Sequence, residues 1–148
     1  MNEKKFKEII KFAINKEIKA FNFYTKASKM SKLTGAKDLF SDLAKEEVGH
    51  RKLLEKLDMK KISQAKIEKV PDLKISTYLA DAEFKPDMPY ANTLRMAIKM
   101  EERAFKLYTH MNKSNKDEKL NKLFTLLANE EAKHKLRLEK IYDDEILK

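Results

Sequence analysis

The feature that most constrains the fold of this chain is an internal repeat with an offset of 84 residues. The segment AINKEIKAFNFYT (13–25) aligns with AIKMEERAFKLYT (97–109), and LFSDLAKEEVGHRKLLEK (39–56) aligns with LFTLLANEEAKHKLRLEK (123–140). Between residues 10–57 and 94–141, 19 of 48 aligned positions are identical, without a gap. Because the apolar residues of both copies recur at helical spacing, the repeat predicts a tandem duplication of a two-helix unit.

Helical periodicity predicts four helices. The first lies at about residues 3–31, the second runs from just after Thr34-Gly35 to about 57, and the last two lie at about 89–112 and 115–143. A break at Thr34-Gly35 separates the first two helices. Asn115, followed three residues later by Glu118, is expected to form the N-terminal capping box of the fourth helix. The chain has only 2 glycines and 3 prolines, a composition that favours helices over a sheet rich in turns.

The connections between the helices predict the topology. Short links join the first helix to the second and the third to the fourth, so each pair is expected to form an antiparallel hairpin. The segment 58–88 is long enough to run back along the length of the helices. We therefore predict a single all-α domain, 1–148, built as a four-helix bundle. It would consist of hairpin 3–57, one long crossover 58–88 and hairpin 89–143.

Acidic and histidine residues occupy positions on the apolar stripes of all four helices. The leucine stripe of the second helix continues through Glu47 and His50 at unbroken spacing, and that of the fourth helix continues through Glu131 and His134. Small residues and a tyrosine flank one glutamate on the stripe of the first and of the third helix. Six residues that obey the 84-residue repeat are therefore expected to point inward: Glu17, Glu47, His50, Glu101, Glu131 and His134.

Burial of four carboxylates and two imidazoles without compensation would exceed the stability margin of a domain of this size. Proton sharing would relieve part of this cost, and two divalent cations would neutralise the four carboxylates. A Glu-x-x-His motif places two ligands on one helical face, and oxygen-rich donors with one imidazole per ion suit iron or manganese better than structural zinc. The alternative is a polar layer that fixes the register of the bundle without metal.

Other polar residues have plainer explanations. His110 falls on the opposite face of its helix from Glu101 and is expected in solvent, as are Glu46, Glu102 and Glu130. Tyr24 and Tyr108 share the inward stripe, either as core aromatic residues or as hydrogen-bond donors that orient the metal carboxylates. Gly49 lies in mid-helix, where close helix approach or ligand access could explain it, although its counterpart in the repeat is Lys133.

Composition excludes several classes of site. The chain has no cysteine, which rules out disulfides, zinc-thiolate sites and a rubredoxin-type iron centre in this sequence. No apolar run predicts a signal peptide or a membrane span, so a cytoplasmic protein that does not bind membranes is expected. The formal net charge of +9 comes from dispersed lysines, which favours a lysine-coated surface over a nucleic-acid site.

The chain resembles the ferritin-like superfamily, and specifically the di-iron domain of rubrerythrins. Its Glu17, Glu47-x-x-His50, Glu101 and Glu131-x-x-His134 match the ligand motifs of that family. The resemblance implies that Glu47 and Glu131 bridge two metals. It further implies that Glu17 and His50 complete one metal site, and that Glu101 and His134 complete the other.

Two departures from rubrerythrins proper are visible. The additional glutamate that those proteins carry three residues after the third-helix ligand is Ala104 here, which puts in doubt the redox-linked exchange of one iron between histidine and glutamate. The cysteine-ligated rubredoxin domain is missing as well. The electrons for any reduction would therefore have to come from an external donor.

The resemblance implies a non-haem di-iron oxidoreductase that reduces hydrogen peroxide or O₂, with two iron ions as cofactors and manganese or zinc as alternatives. It also implies a homodimer. A second hypothesis is an iron-binding or iron-storage ferritin-like protein with weak DNA association, and a third is a metal-stabilised bundle without turnover.

Overall fold

The computed structural model describes residues 3–32, 34–58, 60, 73–74, 89–113 and 117–147. The chain divides into two compact units, residues 1–64 and 65–148. Unit 1 contains helices α1 (Glu3–Met30) and α2 (Thr34–Lys56). Unit 2 contains α3 (Tyr90–Lys113) and α4 (Glu118–Tyr142), followed by a π-helical turn at Asp143–Leu147.

Unit 1 is an antiparallel helical hairpin. The Ser28 hydroxyl donates a hydrogen bond of 2.8 Å to the carbonyl of Lys37, across the short connection. Further from the connection, the ring of Tyr24 stacks on that of Phe40 with centroids 6.3 Å apart. Apolar residues spaced by three and four positions form the core between the helices: Phe6, Ile9, Ala13, Tyr24 and Ala27 of α1, and Leu39, Phe40, Leu43, Ala44 and Leu54 of α2.

Unit 2 repeats this arrangement with the second half of the sequence. The Asn112 side-chain amide donates to the Thr125 hydroxyl at 3.2 Å near the connection, and at the far end Arg95 Nη1 donates to the Tyr142 hydroxyl at 3.3 Å. The buried apolar residues again recur at helical spacing: Leu94, Ala97, Ile98 and Tyr108 of α3, and Leu120, Leu123, Phe124, Leu127, Ala128, Leu138 and Tyr142 of α4. The duplication in sequence is therefore a duplication of the hairpin.

The predicted all-α class is confirmed, because the described residues form four long helices and no strand, as a four-helix bundle requires. The predicted break at Thr34-Gly35 is wrong, because both residues belong to the first turn of α2. The helix bounds otherwise agree with prediction to within one or two residues, except at the start of α4. There the predicted Asn115 capping box is wrong. The helix begins at Glu118, and the Asp117 carboxylate accepts hydrogen bonds from the backbone N–H groups of Lys119 and Leu120.

Most of the predicted crossover 58–88 lies outside the described residues, so its path and the single-domain assignment stay predictions. Pro89 is described, and its carbonyl accepts from the N–H groups of Asn92 and Thr93 at the start of α3. Among the described helices, none is long and apolar enough to cross a membrane.

Gly49 is not required by packing. It is exposed within α2, and a Cβ built on it meets no atom within 4 Å. Close approach of α1 therefore does not explain this glycine. It lowers the helical propensity of α2 without a compensating contact in the described structure.

We expect Gly49→Ala to raise the free energy of unfolding by about 0.5–1 kcal/mol, because alanine loses less backbone entropy in a helix. Chemical denaturation followed by circular dichroism would measure the change. Lys133→Ala, at the equivalent exposed position of α4, is the matched control and should shift stability by only a few tenths of a kcal/mol. A destabilised Gly49→Ala variant would mean that this position needs glycine.

An ion pair buried in α4 was not anticipated from the sequence. The Lys135 ammonium lies 3.4 Å from the Glu139 carboxylate, and the two side chains are 6% and 0% exposed. At the equivalent positions of α2, Arg51 and Glu55 pair at 3.0 Å, but there the side chains are about half exposed. The same i,i+4 pair is thus a surface contact in unit 1 and an interior one in unit 2.

Removal of one partner of the buried pair should be costly. We expect Lys135→Met to lower the free energy of unfolding by about 3 kcal/mol, because it leaves the Glu139 carboxylate buried without its ammonium. The double variant Lys135→Met/Glu139→Leu should recover most of that loss. Arg51→Met serves as the control at the exposed pair, with an expected loss of at most about 1 kcal/mol. Equal effects of Lys135→Met and Arg51→Met would contradict the interior assignment.

Candidate metal centre

Unit 1 brings together three of the six predicted ligands. The His50 Nδ1 atom of α2 lies 3.8 Å from Glu17 Oε2 of α1. Glu47, one helical turn before His50, offers a carboxylate oxygen within 4.8 Å of an imidazole nitrogen. Glu17 and Glu47 are only 4% and 1% exposed, and the His50 side chain is 18% exposed. These residues form a buried carboxylate–imidazole cluster with one partly accessible member.

Unit 2 brings together the other three. The His134 Nδ1 atom of α4 lies 3.4 Å from Glu101 Oε1 of α3. Glu101, Glu131 and His134 each offer one ligand atom, and these atoms lie within 4.8 Å of one another. All three residues are buried. A single metal ion could contact all three donors after small side-chain adjustments.

The two clusters are related by the sequence repeat. In each unit, the histidine of the second helix approaches the glutamate of the first helix through Nδ1. The second glutamate lies on the same helix as the histidine, three residues earlier. The structure therefore sorts the six residues into two sets of three with the same chemistry, Glu17, Glu47 and His50 in one and Glu101, Glu131 and His134 in the other. Their ligation of metal stays a prediction.

The buried oxygen atoms of these sets suit a cation. Within the described part of the chain, four carboxylate oxygens of the two sets are shielded from solvent and accept no hydrogen bond, although each carboxylate has an imidazole neighbour: Glu17 Oε2, both side-chain oxygens of Glu47 and Glu101 Oε2. Burial of an ionised carboxylate is expensive unless a cation or several hydrogen-bond donors compensate it. Two carboxylates and one imidazole per unit form an oxygen-rich donor set that fits iron or manganese.

The residues predicted to lie in solvent near the candidate ligands are not all exposed. Glu46 and His110 are exposed, as expected, and Glu130 is partly exposed, with an ion pair to Lys133. The surface prediction for Glu102 is wrong, because only 7% of this residue is exposed. Glu102 continues an i,i+4 row with buried Leu94 and Ile98, so α3 buries a face wider than one stripe. Its carboxylate lies 2.6 Å from the exposed ammonium of Lys106.

Both stripe tyrosines are fully buried. Tyr24 packs edge-on against Phe23, with centroids 5.3 Å apart, and stacks on Phe40, as a core aromatic residue does. The Tyr108 hydroxyl is buried and forms no hydrogen bond to a carboxylate in the described structure. The packing role is therefore visible for Tyr24, and the orientation of metal carboxylates by either hydroxyl stays a prediction.

A duplicated helical hairpin with a buried carboxylate–imidazole set in each copy defines a class of all-α proteins with candidate metal-binding groups. The family model for rubrerythrin matches residues 8–88 and 92–147 of the chain. Because the match covers most of the sequence, the chain belongs to the rubrerythrin family, and the predicted family resemblance is confirmed. No curated protein and no solved structure matches the chain significantly.

The adjacent glutamates of each Glu-Glu pair provide a test of the ligand assignment. We expect Glu47→Ala and Glu131→Ala each to lower the metal content of the purified protein by about half or more, because each removes a buried carboxylate donor. Inductively coupled plasma mass spectrometry would measure metal per chain. The neighbouring variants Glu46→Ala and Glu130→Ala change the same residue type on the exposed side of the helix and should leave metal content unchanged.

The comparison within each pair decides the assignment. If Glu47→Ala and Glu131→Ala retain the full metal content of the unmodified chain, these carboxylates are not ligands. If Glu46→Ala lowers metal content as strongly as Glu47→Ala, the loss reflects destabilisation of α2 and not removal of a donor. Circular dichroism of all four variants would separate these two cases.

Proposed function

We propose that the two donor sets act together as one dinuclear iron centre, and that the protein is an oxidoreductase that reduces hydrogen peroxide or O₂. The observation that carries this proposal is the repetition of a buried set of two carboxylates and one imidazole in each unit. Four carboxylates balance the charge of two divalent cations. Membership of the rubrerythrin family supports iron as the metal.

The residues of the chain would prepare the site for this chemistry in three ways. Glu47 and Glu131, buried on α2 and α4, would hold the ions in surroundings from which bulk water is excluded. Glu17 and Glu101 each lie against an imidazole, and this contact orients the ring for ligation. The partial exposure of His50, compared with 6% for the His134 side chain, offers a small oxidant a route to the set in unit 1.

Iron(II) ions held by these residues would each supply one electron and act as Lewis acids toward the bound oxidant. Two electrons and two protons convert one hydrogen peroxide into two water molecules. A new cycle then needs two electrons from outside the site. The chain has no cysteine to hold a rubredoxin-type iron, so we propose a separate electron donor.

The decisive experiment is anaerobic loading with Fe(II), followed by rapid mixing with hydrogen peroxide or with O₂ while absorbance and iron stoichiometry are recorded. We expect fast oxidation that stops at two irons per chain, with peroxide faster than O₂. The Glu131→Ala variant should lose this phase, and Glu130→Ala should keep it. Reaction of the Fe(II) form with neither oxidant contradicts the oxidoreductase proposal.

The same measurement tests iron storage, the second function that the sequence suggested. Storage requires uptake and oxidation of iron far beyond the two ions that the six donors can hold. Saturation at two irons therefore supports a redox enzyme, and continued uptake supports storage.

A further inference from the structure

A cleft of about 390 Å³ lies between α1 and α2 in unit 1, away from any residue assigned to the metal set. Thr25 and Ser28 of α1 and Ser41 of α2 contribute three hydroxyl groups to its lining. Phe21, Ala44 and Val48 provide an apolar wall, and Lys29 and Lys45 complete the lining. The volume falls within the range of small-molecule sites in proteins, about 300–1,000 Å³.

The charged residues that line this cleft are all positive. Its charged members are both lysines, and no carboxylate lines it, so the two positive charges are not neutralised within the cleft. The Ser28 hydroxyl donates its proton to the Lys37 carbonyl. The hydroxyl groups of Thr25 and Ser41 and the two ammonium groups are therefore the donors that would bind a carboxylate, sulfonate or phosphate. The aromatic ring of Phe21 and the side chain of Val48 offer contact to an apolar body.

Antiparallel pairing orders these features along the helix axis. Ser28 faces Lys37 across the connection, and Glu17 faces His50 further along. Lys29 therefore lies toward the connection, beside the hydroxyl groups of Ser28 and Thr25. Phe21 and Val48 lie deeper along the hairpin, with Lys45. The end of the cleft toward the connection thus carries the hydroxyl groups and Lys29, and the deeper end is apolar apart from Lys45.

The repeat supplies an internal comparison for this cleft. In unit 2 the corresponding helices carry Asn112 in place of Ser28 and Thr125 in place of Ser41, and the Asn112 amide donates to the Thr125 hydroxyl at 3.2 Å. This bond bridges α3 and α4 at the position where the cleft opens between α1 and α2. Lys45 corresponds to the uncharged Asn129. At the two positions where Asn112 and Thr125 bridge the helices of unit 2, unit 1 therefore has smaller residues. It also has one more positive charge, Lys45, in the lining of the cleft.

We propose that the cleft of unit 1 binds a small organic anion that has an apolar body, with its anionic group at the lysine and hydroxyl end and its body against Phe21 and Val48. Three observations carry this inference: the volume of the cleft, its lining by two lysines and three hydroxyl groups, and the replacement of the bridging pair of unit 2 by two serines. The proposal does not depend on the redox function.

Anilinonaphthalene sulfonate, a fluorescent aromatic anion of this kind, is a suitable probe. In a titration of the folded chain, we expect saturable fluorescence enhancement with one molecule bound per chain. Affinity should fall as ionic strength rises, because the lysine charges are solvent-accessible and screened by salt. Absence of saturable binding up to millimolar probe would overturn the proposal.

Variants taken from the repeat locate the site. Ser28→Asn/Ser41→Thr introduces the bridging pair of unit 2 and should lower the affinity about tenfold or more, a change of about 1.4 kcal/mol. Lys29→Gln/Lys45→Asn should weaken binding at low salt and reduce its dependence on salt. Unchanged affinity in both double variants places the probe elsewhere and overturns the proposal.

The opposite exchange, made in unit 2, tests the same idea without relying on correct folding of the Ser28→Asn/Ser41→Thr variant. Asn112→Ser/Thr125→Ser removes the bridge between α3 and α4 and should raise the stoichiometry from one probe to two, with weaker binding at the new site because Asn129 stands in place of Lys45. A stoichiometry that stays at one means that the bridging pair does not control access, and this result contradicts the inferred role of Ser28 and Ser41. Lys7→Gln/Lys11→Gln, which removes two exposed lysines of α1 outside the cleft, is the charge-matched control and should bind as the unmodified chain does.

Discussion

The contact between a buried carboxylate and an imidazole on the neighbouring helix is the interaction on which each unit depends. Glu17 meets His50 at 3.8 Å, and Glu101 meets His134 at 3.4 Å. An ionised carboxylate in an apolar hairpin is tolerated only where a partner stands opposite it, so this contact fixes the register of the two helices that carry it. Leucine and alanine packing on either side of the contact is compatible with several registers, whereas the carboxylate and the imidazole face each other in only one of them.

The repeat shows how one sequence pattern was adapted to two environments. At two of the equivalent positions the chemical character is kept and the exposure changes. His50 is partly accessible and His134 is buried, while the ion pair of Arg51 and Glu55 lies at the surface and that of Lys135 and Glu139 lies inside. The carboxylate–imidazole contact is the feature that both copies retain with little change.

Most of the helical architecture and the composition of the two donor sets could be predicted from the sequence. Helical periodicity determines which side of a helix each residue lies on. A single stripe of leucines is therefore enough to place Glu47 and His50 on the inner side of their helix. The predictions that were wrong depend on properties that helical periodicity does not determine. The start of α4 at Asp117 depends on which of several polar residues caps the first turn, and helix ends are the least determined part of such a pattern.

The burial of Glu102 and of the Lys135–Glu139 pair was missed for a different reason. Charged residues beside a stripe are ordinarily assigned to solvent, yet a neighbouring ammonium or a long aliphatic stem permits their burial. Whether such a residue is covered depends on the width of the buried face, which only the packed structure provides. The cleft between α1 and α2 was not predicted for a similar reason, because a cleft depends on the sizes of side chains that pack together from two helices.

The charged partners of the buried carboxylates bear on the metal stoichiometry. Glu102 and Glu139 each lie within ion-pair distance of a lysine ammonium, at 2.6 and 3.4 Å. Among the described residues, four buried carboxylates instead lie near an imidazole, two in each unit: Glu17, Glu47, Glu101 and Glu131. A neutral imidazole orients a carboxylate but does not cancel its charge, whereas a divalent cation does both. The four carboxylates therefore match the charge of two divalent ions. The carboxylates of Glu102 and Glu139 need no metal ion, because a lysine ammonium already balances each of them. Two divalent ions per chain are therefore the charge that the proposed dinuclear centre needs to balance the four carboxylates of the two sets.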